Sequence, residues 1–143
     1  MKEILFSAKR IDNGEWVEGY IVRIDEETCF IASKEDILAA YTDNRGTYDG
    51  WMSVIDQETI CQYTGLTDKN GNKIWENDVV KHYYDECHAG CIEVGVIRWN
   101  GDEARFENFR LIEKYAYYLS GKKCVYEVIG NIFDNPDLLK VGD

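Results

Sequence analysis

One proline in 143 residues, no run of basic side chains and no long apolar stretch are the scarcities that bound this chain first. Without anything near the roughly eighteen consecutive apolar residues that a spanning helix needs, no transmembrane helix is available and no membrane association is expected. The basic residues are scattered as Lys9-Arg10, Lys69, Lys73, Lys114 and Lys122-Lys123, against a net charge of −11 and a pI near 4.6. Polyanions such as DNA, RNA and acidic lipid would be repelled at long range, so nucleic acid is a disfavoured partner. A glycine-rich phosphate loop, a nucleophile elbow, a His-Glu-x-x-His helix and a Cys-x-x-Cys pair are all missing, and no serine or cysteine stands beside an obvious base. The sequence therefore assigns no catalytic residue and no cofactor, and a noncatalytic protein is the expectation.

Ten Tyr, five Phe and four Trp, with 45% hydrophobic content, are ample for a core, and 143 residues suit one domain or two very small ones. Short strand-like runs, many aromatics and little proline favour a mainly β chain joined by hairpins over a helical bundle. Five cysteines, an odd number, follow a Met-Lys-Glu opening with no apolar signal segment behind it, which suggests free thiols in a reducing cytoplasm. Apolar and aromatic neighbours make Cys29, Cys61 and Cys124 buried small hydrophobes.

Asn-Gly dipeptides punctuate the chain. Asn13-Gly14 joins a strand containing Ile4 and Phe6 to the strand Glu15–Val22, whose residues Trp16, Glu18, Tyr20 and Val22 share one face and Val17, Gly19 and Ile21 the other. Glu27–Ser33 reads as a third strand. Ser33-Lys34-Glu35-Asp36 either caps a short helix over Ile37–Ala40 or begins a loop into a strand, and Thr42–Gly50 reads as a loop. Trp51–Ile55 resumes a strand, followed by the polar turn Asp56–Thr59. Asn70-Gly71, placed to supply the two positive φ angles of a tight turn, lies between the strands Gln62–Leu66 and Lys73–Trp75. Val79–Tyr84, Cys91–Trp99, Ala104–Phe109 and Cys124–Ile132 read as further strands, with Asn100-Gly101-Asp102 as a third Asn-Gly turn, whereas Leu111–Leu119 has near-helical apolar spacing. Five or six short strands between Gly65 and Ile132 suggest a small closed or half-closed barrel, which would leave few open edges.

Gln62-Tyr63-Thr64-Gly65-Leu66, Asp68-Lys69-Asn70-Gly71, Ile74-Trp75-Glu76-Asn77-Asp78-Val79-Val80, Tyr126-Glu127-Val128-Ile129-Gly130-Asn131-Ile132 and Asn135-Pro136-Asp137-Leu138-Leu139 resemble the signature of the phage-borne YopX family, with weaker likeness at Trp16, Gly19 and Tyr20. The strand pattern suggests an N-terminal β-rich subdomain over residues 1–61 with at least one short helix in the chain, and the resemblance implies an SH3-like β-barrel over 62–143 in a phage or prophage protein, the free thiols placing it in the bacterial host cytoplasm. Asn77 departs from the family, which usually has glycine there; Asn tolerates a left-handed backbone best among the other residues. The polar loop Asp85–Gly90 is no recognised family feature.

Four features are candidates for chemistry. His82, Cys87, His88 and Cys91 form a metal-like cluster, although Cys-x3-Cys is looser than a zinc knuckle and no second pair completes it. Asp68, Asn70 and Asn72 match positions 1, 3 and 5 of a calcium loop, but Lys73 and Val79 fill the places of the required glycine and glutamate. Glu76 and Asp78 stand at a strand entrance, where carboxylates usually bind turn amides, and Asp102, Glu103 and Glu107 are nearby in sequence. Trp51, Tyr63, Trp75, Tyr83, Tyr84 and Trp99 could line a groove for a peptide or base, unless they are core. The expectation is a phage accessory protein that binds a host or phage protein, its acidity suiting a basic surface, with self-association through the N-terminal strands as a further possibility. The alternative is a nucleic-acid-associated factor or a small metal-dependent enzyme of phage DNA metabolism.

Overall fold

The computed structural model describes residues 3–43, 52–83, 93–119 and 125–140, with backbone alone for 39–43. The chain divides into two compact units, Met1–Gln62 and Tyr63–Asp143. Eleven described strands, antiparallel throughout, make the protein mainly β, as composition and turn spacing indicated.

In the first unit β1 (Phe6–Lys9), β2 (Trp16–Arg23), β3 (Cys29–Ala32) and β4 (Ser53–Val54) lie in the order β4-β3-β2-β1, and the start of β5 (Cys61–Thr67) pairs with β1 through Phe6↔Gln62 and Ser7↔Cys61. The faces of β2 divide as expected: Glu18 and Tyr20 are exposed, Gly19 is buried, and Val17 and Ile21 pack on a core of Ala8, Cys29, Ile31 and Ile55. Cys29 and Cys61 are buried, and the Cys61 thiol donates to the Thr59 carbonyl at 3.3 Å. The undecided segment after β3 is helix α1 (Lys34–Asp43). Ser33 Oγ accepts from the Asp36 amide at 3.0 Å and Asp36 Oδ2 accepts from the Ser33 amide at 3.2 Å, a reciprocal cap that satisfies two end donors at once. The helix carries on through Thr42 and Asp43, where the sequence reads as loop, and residues 44–51 lie outside the described residues.

The second unit contains the rest of β5, β6 (Lys73–Trp75), β7 (Asp78–Tyr83), β8 (Glu93–Asn100), β9 (Arg105–Arg110), β10 (Tyr115–Tyr118) and β11 (Val125–Asn131). The last five form an open sheet in the order β10-β9-β8-β7-β11. One face carries Ile74, Val80, Ile97 and Tyr126; the other carries Val79, Val96 and Leu111, packed with Ile132, Leu138 and Leu139. Two expectations are corrected here. Leu111–Leu119 is a four-residue turn and the strand β10, because Arg110↔Tyr115 through Glu107↔Tyr118 pair in register. The sheet is also not closed into a barrel. Where closure would need a strand along the free side of β11, a turn stands instead: the Val128 amide donates to Asp68 Oδ2 at 3.0 Å and the Lys69 amide to the Tyr126 carbonyl at 2.9 Å.

That turn is the Asn70-Gly71 hairpin between β5 and β6. Its hand differs from the tight form, since Gly71 has φ 83° and Asn70 is not left-handed. The Gly71 amide donates to the Asp68 carbonyl at 3.0 Å and the Asp68 amide to the Asn72 carbonyl at 2.8 Å, a three-residue loop with glycine in the bulge position. The loops 101–104 and 111–114 end on left-handed Ala104 and Lys114, with φ of 51° and 57°. Asn100 works as a side-chain acceptor, its Oδ1 taking the Asp102 and Glu103 amides at 3.0 and 3.2 Å.

Candidate functional site

The calcium-like loop turns out to be organised by Asp68 alone, whose oxygens serve the hairpin. Asp68, buried, collects the amides of Asn70, Asn72 and Val128 and the Asn72 side-chain NH2. Burial pushes its carboxyl up, but these donors outweigh burial and hold it below the ordinary range. Asp78 differs in having a single described donor, the Trp75 amide at 2.8 Å, while burial is deep; its carboxyl is pushed up to about 7, with the Asp68 charge adding to the effect. It binds a turn amide, the role that its place at a strand entrance suggested.

Of the metal-like cluster, Cys87, His88 and Cys91 lie outside the described residues, and His82 is 3% exposed on the inner face of the sheet. Arg110 Nη2 lies 2.9 Å from His82 Nδ1. A guanidinium can only donate, so Nδ1 accepts and the proton sits on Nε2. Burial first, and the Arg110 charge second, hold the imidazole below its usual pKa, and its ring stacks on Tyr126 with centroids 5.3 Å apart. A neighbouring cation also opposes a metal ion at this point. Glu93, next to His82 in register, accepts the Ile112 and Glu113 amides at 2.5 and 2.8 Å, and Asn108 lies over Gly95, where an added Cβ would stand 1.8 Å from Asn108 Oδ1. Among the described residues no group of three His, Cys, Asp or Glu could hold a metal.

The aromatic set divides. Trp51 and Tyr84 lie outside the described residues, Tyr63 is buried, and Trp75 is half-buried against it with centroids 5.5 Å apart, a cross-strand pair. Tyr83 is half-buried under the Lys69 ammonium and donates to Glu127, which also pairs with Lys69 at 3.0 Å. Trp99, 47% exposed and packed edge-on against Phe106, is the one described member that opens to solvent.

The stronger exposed aromatic row is on β10, which the helical spacing of Leu111–Leu119 concealed. Tyr115, Tyr117 and Tyr118 are 62%, 37% and 70% exposed, and Ile112 in the preceding turn is 68% exposed. Tyr117 and Tyr118, on opposite faces of β10, are nevertheless each held by a guanidinium. The Arg110 guanidinium lies 3.8 Å over Tyr117, whose hydroxyl donates to Glu113 at 2.7 Å, and Arg105 lies 3.3 Å over Tyr118. Tyr115 packs edge-on against Tyr117 at 5.1 Å. Three tyrosines in four residues is a strand-like composition, and that signal could have identified β10 from sequence.

Backbone direction completes the picture. Leu119 donates to the Phe106 carbonyl, in line with the Tyr117↔Asn108 and Tyr115↔Arg110 pairs, so the odd positions of β10 bond to β9. Ala116 and Tyr118 therefore direct their N–H and C=O away from the sheet, and no described strand pairs with them. In the first unit, two open clefts of about 530 and 490 Å³ flank Arg10 and Ile11, with Arg10 already held by Asp12 at 2.6 Å.

Two small antiparallel units, the second with exposed tyrosines on its β10 edge, define a mainly β protein. The chain belongs to the YopX protein family, whose model matches residues 9–140. It is also similar to the crystal structure of protein EF1440 from Enterococcus faecalis, at 21% identity and a TM-score of 0.52 over 98% of this chain and 100% of that one, a likeness that shows the fold alone. No curated protein matches the chain. No helix among the described residues is long and apolar enough to cross a membrane.

Proposed function

We propose that this is a noncatalytic phage or prophage accessory protein that works in the bacterial host cytoplasm by protein–protein interaction, with the edge of β10 as its contact strand. The observation that carries the reading is the conjunction on one four-residue strand of outward-facing Ala116 and Tyr118 backbone with three exposed, pre-positioned tyrosines. An extended segment laid along this edge would gain main-chain hydrogen bonds from Ala116 and Tyr118 and side-chain burial from the tyrosines. Because Arg110, Glu113 and Arg105 already hold Tyr117 and Tyr118, little rotamer freedom is lost on contact.

Affinity capture from host extract, with the natural protein and Ala116→Pro side by side, tests the proposal. Proline at position 116 removes an outward N–H and leaves the β9 pairing of Tyr115 and Tyr117 in place. A reproducible set of proteins retained by the natural chain and lost with Ala116→Pro is the expected result. Retention indistinguishable from that of a charge-matched acidic control would overturn the reading.

A further inference from the structure

The other described sheet edges are closed or short. β4 has two residues, and β6 has three, with the Trp75 amide given to Asp78. The free side of β11 is covered by the Asp68 carboxylate and the Lys69 amide. β10 has four residues and no cover among the described ones, and Tyr115-Ala116-Tyr117-Tyr118 contains no charge, no proline and no register shift against β9. Resting on the proposal that β10 is the contact strand, we infer that its partner is a second copy of this chain, paired antiparallel through β10 about a two-fold axis at Tyr117.

Geometry and charge both lead there. An antiparallel pairing centred on Tyr117 sets Ala116 opposite the partner's Tyr118 and Tyr118 opposite the partner's Ala116, so the outward N–H and C=O of both residues are satisfied on both copies. The two open sheets would become one, and a self-complementary contact uses each exposed tyrosine twice. Charge then distinguishes a second copy from a basic partner. Although the chain carries −11, the cations behind β10 are neutralised where they stand: Arg105 pairs with Glu103 at 2.7 Å and lies 3.6 Å from Glu107, and Arg110 pairs with Glu113 at 3.3 Å. Thirteen Asp and Glu against six Lys and Arg fall in residues 1–62, so the excess negative charge is concentrated in the other unit. A polycationic partner would gain little at β10 and more in that unit, whereas an uncharged tyrosine edge meets an identical edge without like-charge opposition.

Light scattering behind size exclusion, over a range of protein concentrations, reads the outcome. The natural chain is expected at about twice its 16.6 kDa mass, falling to a monomer on dilution. Ala116→Pro should be monomeric throughout, and Tyr115→Lys, a change at a side chain already 62% exposed, should weaken the dimer at least tenfold while keeping native circular dichroism. Amide exchange at Ala116 and Tyr118 should slow in the dimer and speed on dilution. A natural chain that is monomeric at every concentration, or a dimer unaffected by both substitutions, would overturn the inference. The two proposals separate cleanly: a monomer that captures a host protein through Ala116 leaves the contact strand standing without self-pairing, and a dimer that captures nothing leaves self-pairing standing without the accessory role.

Discussion

Asp78→Asn turns the buried carboxylate at the head of β7 into a measurement of the fold's pH response. Asp78 is 7% exposed, its described donor is the Trp75 amide, and its carboxyl rises from the ordinary 3.8 to about 7. A carboxyl raised on folding binds its proton more tightly in the native state than in the unfolded chain. Its contribution is therefore fully present below the unfolded pKa and is lost as pH climbs through the folded one. At about 1.36 kcal/mol per unit of pKa, the gap corresponds to roughly 4 kcal/mol removed between pH 4 and pH 7. Asparagine keeps an acceptor for the Trp75 amide at nearly the same volume and has no charge to bury.

Urea unfolding of both proteins across this range gives the difference directly. The variant should gain on its parent by about 2 kcal/mol between pH 5 and pH 7, and the advantage should level off above about pH 8. The carboxyls of Asp68, Asp25 and Glu127, held low by their hydrogen bonds and ion pair, give the opposite slope at acid pH, but they are common to both proteins and largely cancel. Parallel pH profiles would refute the reasoning, because they would mean that Asp78 is ionised in the native state at little expense. A variant less stable than its parent at pH 8 would refute it too, by showing that the Trp75 bond needs a charged acceptor.

Asp68→Ala removes the acceptor of four hydrogen bonds and uncovers the side of β11, so a loss of about 3 kcal/mol is expected, with the Val128 amide exchanging far faster in hydrogen-exchange NMR. Ala104→Gly relieves a left-handed alanine at φ 51° on an exposed turn and should raise the urea midpoint by an amount equal to about 0.5–1 kcal/mol. Gly19→Ala drives a Cβ to within 2.2 Å of the Ala32 carbonyl oxygen, which is backbone of the neighbouring strand; a loss of at least about 3 kcal/mol in thermal or urea unfolding is expected, and unchanged stability would mean β2 and β3 are spaced more widely than described.

How far the sequence carried depends on which interactions decide each element. The β5–β6 hairpin, the two faces of β2 and the role of Asp78 were legible because turn chemistry and period-two patterning act within a few residues. The form of the turns was less so. Asn70-Gly71 and Asn100-Gly101 both mark hairpins, yet neither Asn takes a positive φ, because the Asp68 and Asn100 side chains collect the turn amides and the left-handed residue falls at Gly71 and Ala104. Helix α1 was ambiguous in sequence because a Ser-x-x-Asp cap also begins many loops, and only the reciprocal bonds of Ser33 and Asp36 distinguish the two. Barrel closure was beyond reach, since it depends on what lies along β11 some sixty residues from Asp68.

Strand β10 was lost to a competition between two periodicities. Leu111, Ile112, Tyr115, Tyr118 and Leu119 fit a helical face, but Leu111 belongs to the core below the sheet while Ile112, Tyr115 and Tyr118 face solvent. Apolar spacing is evidence for a helix when the residues it gathers are buried together, and here they are not. Once β9 runs to Arg110 and the chain turns at Lys114, β10 must pair with β9, and its tyrosines are left at an edge that nothing described covers. Two of the tyrosines that supplied the misleading helical spacing, Tyr115 and Tyr118, are thus among the most exposed aromatic side chains of the described residues. A surface row of this kind is defined by the strands that do not cover it, so it emerges from the topology of the sheet and not from any local motif.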